Sequence, residues 1–199
     1  MRTTTKRIAA PAVLLTAAAV TFTPAIVAPT AAAAAEAPAA STTTVSAPSA
    51  PKTRAEKRAE RRAERRALRA KKAKQTRYRL VKVAKAKKRS GAQYVAGASS
   101  ARQFDCSGFT KMLYKTVAGK NLPHYSGAQM RVGKRVSKRN LQKGDLLFWG
   151  PGGSQHVSIY IGGGRMIGAN NPRSDIQIES INAPWWRNKY AGATRIIQG

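Results

Sequence analysis

The stretch Phe104-Asp-Cys-Ser-Gly-Phe109 lies where a loop leads into a helix, and it carries the only cysteine of the 199-residue chain. Apolar residues follow at helical spacing as far as Gly119, which ends the predicted helix. The side chain of Asp105 is expected to cap this helix at its first turn. A thiol at the N-terminus of a helix has a lowered pKa, so the position predicts a reactive cysteine at Cys106.

A second stretch, His156-Val-Ser-Ile-Tyr-Ile-Gly162, alternates as a β-strand does and places His156, Ser158 and Tyr160 on one face. Further short runs bounded by Gly, Pro and Asn follow Gly144. Helices followed by strands predict an α+β domain with an antiparallel sheet. The predicted strands are 146–149, 156–161, 165–169, 176–179 and 194–197. A further helix is predicted from about Arg77 to Arg89.

Cysteine and histidine together form a thiolate–imidazolium pair, which attacks amide or ester carbonyls. Taken singly, Cys106 also suits a small buried hydrophobic position, and His156 suits a hydrogen-bonded strand position. One cysteine excludes an intramolecular disulfide framework, and two histidines exclude a histidine-rich metal site. The sequence therefore predicts neither a metal nor a cofactor.

The first residues have the pattern of an export signal. Arg2, Lys6 and Arg7 precede an uncharged apolar stretch that ends in alanines, and a signal peptide is predicted over 1–35. A transmembrane anchor is the alternative, although the Ala, Thr and Pro content makes it a weak one. An Ala/Pro/Ser/Thr linker is predicted over 36–51. The protein is therefore expected to be secreted and to act outside the membrane.

The chain carries a formal net charge of +29, and residues 52–89 hold 19 Lys+Arg against 3 Glu. An Ala/Arg/Glu unit of four residues recurs over 52–77, which is predicted to be a basic helical or disordered segment before a domain at 78–199. Because it has no wide apolar face, nothing is expected to anchor it. It acts either as a solvated spacer or as a tether to an anionic wall polymer or membrane surface. Nucleic acid is disfavoured because interleaved aromatic residues are lacking.

The motifs resemble the NlpC family of bacterial cell-wall cysteine peptidases. The resemblance rests on Phe104–Phe109 and His156–Gly162, together with three weaker blocks. These blocks begin at Tyr94, Leu122 and Leu141, and all blocks follow the order of the family. The resemblance implies a compact papain-like domain that hydrolyses peptide bonds in peptidoglycan stem peptides. The bond that it implies joins γ-D-glutamyl to a diamino acid.

The same resemblance implies roles for individual residues. Cys106 matches the nucleophile, and His156 matches the base that later protonates the leaving amine. Tyr94 matches the tyrosine whose hydroxyl points at the oxyanion, beside the backbone N–H of Cys106. Asp105 and Ser107 match positions that line the stem-peptide subsite, where Asp105 is expected to hold an ammonium group. His124 falls on the rim of the site.

One family position is not matched. The third catalytic residue of the family is a His, Asn, Gln or Glu that orients the imidazole, and it falls twelve residues after the histidine, at Gly168. Asn170 is the candidate replacement, although it lies about 7 Å further along the strand. A bend through Asn170 would restore the contact. The displacement favours a water or a backbone carbonyl instead, in which case Gly168→His is expected to raise activity.

Three hypotheses follow from these observations. The first is a peptidoglycan endopeptidase that uses Cys106 and His156. The second is an amidase with the same pair, acting on another amide bond of the wall. The third is a non-catalytic wall-binding module, weakened at Gly168 and held by the basic segment. A monomer is expected in each case.

Overall fold

A computed structural model describes residues 51–199 of the chain, so the predicted signal peptide and all but the last residue of the predicted linker lie outside it. The helices are α1 Arg54–Arg89, α2 Cys106–Ala118, α3 Ser126–Gln129 and α4 Pro184–Asn188. The strands are β1 Gln93–Tyr94, β2 Gln103–Phe104, β3 Lys134–Val136, β4 Leu146–Trp149, β5 His156–Gly162, β6 Arg165–Asn171, β7 Asp175–Ser180 and β8 Tyr190–Arg195.

Six of the strands form one antiparallel sheet in the order β3-β8-β4-β5-β6-β7. The predicted α+β class with an antiparallel sheet is therefore confirmed. The last predicted strand, 194–197, is misplaced, because the structure has β8 at Tyr190–Arg195. Ile196 and Ile197 lie beyond the strand in the hydrophobic core, which explains an apolar run that is not a strand.

Strand β4 is buried along its whole length because both faces of the sheet are covered. Leu146 and Phe148 pack with α1 and α2 in the larger hydrophobic core. Leu147 and Trp149 point the other way, into a smaller core that contains Trp186 of α4. A strand with two packed faces has no polar side, which accounts for its unbroken apolar sequence.

Helix α1 is continuous from Arg54 to Arg89. The sequence predicted a helix from about Arg77 to Arg89 and left residues 52–77 as either helical or disordered. Thr53 and Glu56 form a reciprocal capping box that fixes its beginning. Residues 51–72 are exposed throughout. This part of the helix therefore has no buried apolar face from which the sequence could have predicted it.

The C-terminal part of α1 packs on the domain, and its buried face begins at Ala73, inside the segment 52–77 that was expected to be unanchored. Its buried face is narrow, and small residues contribute to it. The buried residues are Ala73, Leu80, Val81 and Ala84. The guanidinium of Arg77 also donates to the carbonyl of Ile197 at 3.0 Å. Among residues 51–199, no helix combines the length and the apolarity needed to span a membrane.

Candidate active site

Cys106 is the first residue of α2, and Asp105 caps that helix as predicted. The Oδ1 atom of Asp105 accepts from the backbone N–H of Gly108 at 2.6 Å, which holds the first turn in place. The C-terminal end is also as predicted, because Gly119 adopts a left-handed conformation. The thiol is thus held on a rigid helix start rather than on a loop.

The predicted lowering of the Cys106 pKa is wrong for the resting site. Burial raises the pKa of the Cys106 thiol, and the backbone N–H groups of Val157 and Ser107 offset this effect only in part. The contact with Val157 also locates the sulfur relative to His156, since Val157 directly follows His156. It places the sulfur at the beginning of β5, beside the predicted base.

His156 begins β5 and is 5 % exposed. Its ring lies 5.7 Å from the ring of Trp149 and 5.0 Å from the ring of Trp186, measured between centroids. Burial lowers the pKa of His156 to about 4. The imidazole is therefore neutral near pH 7 and able to accept a proton.

The far side of the His156 ring faces the hydroxyl of Ser158, for which no role was predicted from the sequence. The Nε2 atom of His156 lies 2.9 Å from the Oγ atom of Ser158, two residues along the same strand. Ser158 is fully buried. The signal in the sequence was the two-residue alternation, which puts Ser158 on the face of His156.

Asn170 comes closer to the ring than its position along the strand predicted. The pairing of β6 with β7 is irregular between Ala169 and Asn171, and such an irregularity re-aims the side chain between them. The Asn170 side chain lies close enough to His156 to raise the pKa of the ring, although less than burial lowers it. The contact is oblique, since Oδ1 of Asn170 is buried without a well-aligned partner among residues 51–199.

The orientation of the Asn170 amide is set by Glu179. The Nδ2 atom of Asn170 donates to one carboxylate oxygen of Glu179, and the indole N–H of Trp186 donates to the other. Because a carboxylate accepts only, the amide oxygen of Asn170 must point away from Glu179. Glu179 and Trp186 were not predicted as site residues, because they are far from His156 in the sequence.

Tyr94 is placed by the small parallel sheet of β1 and β2, in which it pairs with Phe104. Burial raises the pKa of Tyr94, and the nearby Cys106 and Asp105 raise it further. The phenol therefore stays protonated and can donate a hydrogen bond close to the thiol.

Asp105 is surrounded by donors of its own chain. Besides Gly108, its carboxylate accepts from the Ser107 hydroxyl at 3.0 Å and from the backbone N–H of Gly97 at 3.1 Å. The Nε2 atom of His124 lies 3.1 Å from both carboxylate oxygens. These contacts hold Asp105 as a structural cap and leave little of its hydrogen-bonding capacity for a substrate ammonium group.

Comparison with known proteins gives a consistent result. The model of the "NlpC/P60 family" matches residues 91–195. A γ-D-glutamyl-L-lysine dipeptidyl-peptidase of Bacillus cereus is 41 % identical over 111 residues, which are 54 % of this chain and 33 % of that protein. A murein DD-endopeptidase/LD-carboxypeptidase of Escherichia coli K12 is 36 % identical over 108 residues, covering 54 % of this chain and 57 % of that protein.

Among solved structures, the P60 domain of a Mycobacterium avium subspecies paratuberculosis antigen is similar, with a TM-score of 0.56 and 28 % identity. The match covers 64 % of this chain and 98 % of that domain. By contrast, the chain spans a third of the Bacillus cereus relative and just over half of the Escherichia coli one. The similarity therefore concerns the folded domain that carries Cys106 and His156.

Proposed function

Because this chain belongs to the NlpC/P60 family, we propose that it is a cysteine peptidase that hydrolyses peptide bonds in the stem peptides of peptidoglycan. One observation carries the proposal: the only thiol of the chain lies at a helix start against the backbone N–H that follows His156. A unique cysteine beside a neutral imidazole is the arrangement that nucleophilic attack on an amide requires.

The proposed reaction begins from a neutral pair. Since Nε2 of His156 is bonded to Ser158, the Nδ1 atom is the one left to take the thiol proton of Cys106. The thiolate attacks the amide carbonyl carbon, and the oxygen that becomes negative accepts from the Tyr94 hydroxyl. His156 returns its proton to the leaving amine as the C–N bond breaks. Water, deprotonated by His156, then hydrolyses the thioester and restores the thiol.

Asn170 is proposed to assist His156 from the far side of the ring. Its amide oxygen can accept from the imidazolium that forms during attack, which favours the protonated ring just when it is needed. Ser107 is proposed to line the stem-peptide subsite beside Asp105. In that subsite Asp105 acts chiefly by shaping the loop, because its own chain supplies several donors to it.

The bond that we propose is the one between γ-D-glutamyl and a diamino acid. The support is the resemblance to the family, together with the Bacillus cereus relative, whose name states action on γ-D-glutamyl-L-lysine. We propose that the protein acts outside the membrane and is associated with the cell wall, where this substrate lies.

A digestion experiment tests the function. Purified peptidoglycan fragments are incubated separately with the unaltered protein and with the Cys106→Ala variant. The products are identified by mass spectrometry. We expect fragments cut after γ-D-glutamyl with the unaltered protein and none with Cys106→Ala. Products cut next to the sugar would indicate an amidase instead. Full activity of Cys106→Ala would overturn the mechanism, and binding without any cleavage would indicate a non-catalytic module.

The partner that we propose for residues 52–89 is an anionic wall polymer. Residues 51–72 are exposed, and they hold 11 Lys+Arg against three Glu. An exported protein meets anionic polymers of the wall, to which such a charge is attracted. An acidic membrane surface is the alternative, which vesicle binding would reveal.

A further inference from the structure

The side of the His156 ring that carries Nε2 is closed by a small hydroxyl. The Oγ atom of Ser158 lies 2.9 Å from Nε2, and Ser158 has no exposed surface. A hydrogen bond that is shielded from water keeps its direction, because neither partner can exchange it for a bond to solvent. The imidazole therefore has a defined hydroxyl partner on that side.

The space for this hydroxyl exists because residue 168 is a glycine. Ile159 pairs with Ile167 in the β5–β6 register, so Ser158 and Gly168 lie opposite each other. A Cβ atom at position 168 would lie 2.3 Å from Oγ of Ser158, which is closer than real Cβ atoms approach, and 3.1 Å from Cβ of Ser158, which is a tight contact. The backbone of Gly168 does not need a glycine, since its φ angle is not positive. A side chain at 168 would thus displace the hydroxyl of Ser158 from its present position.

We propose that Ser158 is the positioning residue for His156, which it orients from the space that a side chain at position 168 would otherwise fill. This inference rests on the proposed function, in which His156 takes the proton of Cys106. The orienting group thus lies on β5 instead of β6. It follows the histidine by two residues instead of twelve. This position also explains how the site functions with a glycine at 168.

The chemistry of the hydroxyl suits the role. Ser158 accepts the Nε2–H of the neutral ring, which leaves the lone pair of Nδ1 free for the thiol proton. A hydroxyl also donates, so by itself it tolerates both tautomers. The buried Oδ1 of Asn170, held by the contact of its amide nitrogen with Glu179, is a pure acceptor near the same ring and favours the tautomer protonated at Nε2. Ser158 sets the ring angle, and Asn170 reinforces the tautomer.

The structure also corrects the expectation for Gly168→His. The site is not empty, because Oγ of Ser158 and Oδ1 of Asn170 both lie within 3.2 Å of the Cβ position at residue 168. A histidine there would displace the hydroxyl rather than complete a triad. We therefore expect Gly168→His and Gly168→Asn to lower activity in the unaltered protein.

The first arm of the test uses Ser158→Ala and needs no wall substrate. Since Cys106 is the only thiol, the rate of its alkylation by iodoacetamide reports how well His156 activates it. We expect Ser158→Ala to slow alkylation, and kcat on a stem peptide, by about tenfold or more, with KM little changed. Thr194→Val is the matched control, because it removes a buried strand hydroxyl that has no partner among residues 51–199. Equal alkylation rates for Ser158→Ala and the unaltered protein would overturn the proposal.

The second arm is a rescue. Ser158→Gly and Gly168→Asn are each expected to slow alkylation, whereas the double variant restores an orienting amide and is expected to be faster than Ser158→Gly alone. A general loss of stability would not reverse in this way, and urea unfolding of each variant checks the fold. A double variant slower than both single ones would count against the proposal. If alkylation depends on Ser158 while no stem peptide is cleaved, the proposed substrate fails and the assignment of Ser158 stands.

Discussion

At the scale of single residues, His156 lies in surroundings that disfavour its charged form. Two tryptophan rings and the strand bury it, and its pKa falls to about 4 from an ordinary value of 6.5. Burial likewise raises the pKa of Cys106. The resting site therefore holds an uncharged thiol and an uncharged imidazole, and the proposed reaction starts from this neutral pair.

This burial predicts a dependence of stability on pH. The unfolded chain binds a proton at His156 below about pH 6.5 and the folded protein only below about pH 4, so this contribution to the free energy of unfolding is lost as pH falls through that window. Between pH 7 and pH 5 the loss is about 2 kcal/mol. Urea unfolding at both pH values, compared with His156→Gln, measures it. A variant with the same pH dependence as the unaltered protein would contradict the prediction.

The residues of the site differ in how readily a sequence reveals them. Cys106 and His156 were predicted because their types are rare in this chain and their flanking motifs are distinctive. Ser158 was not, because a serine on a strand has many ordinary roles and its contact with Nε2 depends on ring orientation. The approach of Asn170 required an irregularity in strand pairing, which periodicity does not encode.

At the scale of elements, the beginning of α2 is fixed by a buried glutamine. Gln129 of α3 donates to the carbonyls of Ser107 and Pro123 at 2.9 and 2.8 Å, and it accepts from Thr110 at 2.7 Å. All of its hydrogen-bonding groups are thereby engaged in a fully buried position. Gln129 thus connects α3 to the helix turn that presents Cys106.

We predict that Gln129→Leu destabilises the protein by about 2 kcal/mol, since the carbonyl of Ser107 and the hydroxyl of Thr110 each lose a buried hydrogen-bond partner. Activity should fall as well, because the turn that carries the thiol loses its support. Urea unfolding and stem-peptide hydrolysis measure the two effects. Gln142→Leu, which alters an exposed glutamine, is the control. A stability loss no larger than that of the control would show that the contacts of Gln129 are replaceable.

The elements also show what periodicity predicts and what it misses. The predicted strand at Leu146–Trp149 matches β4, because packing on both faces leaves an apolar run with clear ends. The sequence left the N-terminal part of α1 as helical or disordered, because this part is stabilised by propensity and by the Thr53–Glu56 capping box rather than by an apolar face. β8 was misplaced because its most apolar neighbours, Ile196 and Ile197, pack in the core outside the sheet.

At the scale of the whole molecule, the basic arm and the catalytic domain can be tested separately. Here the basic arm means residues 52–69, which precede the first contacts of α1 with the C-terminus at Ala70 and the first buried residue at Ala73. We predict that replacing Arg58, Arg62 and Arg66 by Gln weakens binding to an anionic wall polymer and flattens its salt dependence. Hydrolysis of a small soluble stem peptide should be unchanged.

The Gln variant keeps the helix and its length, so it separates charge from spacing. Deletion of 52–69 removes both and is the companion variant. Binding measured by co-sedimentation at low and high salt distinguishes them. If the Gln variant binds as the unaltered protein does at every salt concentration, the arm is a spacer only. If it hydrolyses the small peptide more slowly, the arm contributes to the site itself.

Under the proposed function, the unbroken course of α1 limits where hydrolysis can occur. Its exposed part extends roughly 28 Å from the region where the helix enters the core, at 1.5 Å per residue. A polymer bound along this part would be joined to the domain that carries Cys106 by helix instead of by a flexible chain. Cys106 would then be kept at a nearly constant distance from the point of attachment. Cys106 would often reach peptide bonds that lie at this distance from a point of attachment. It would reach more distant bonds only after the arm has left the polymer and bound to it again elsewhere.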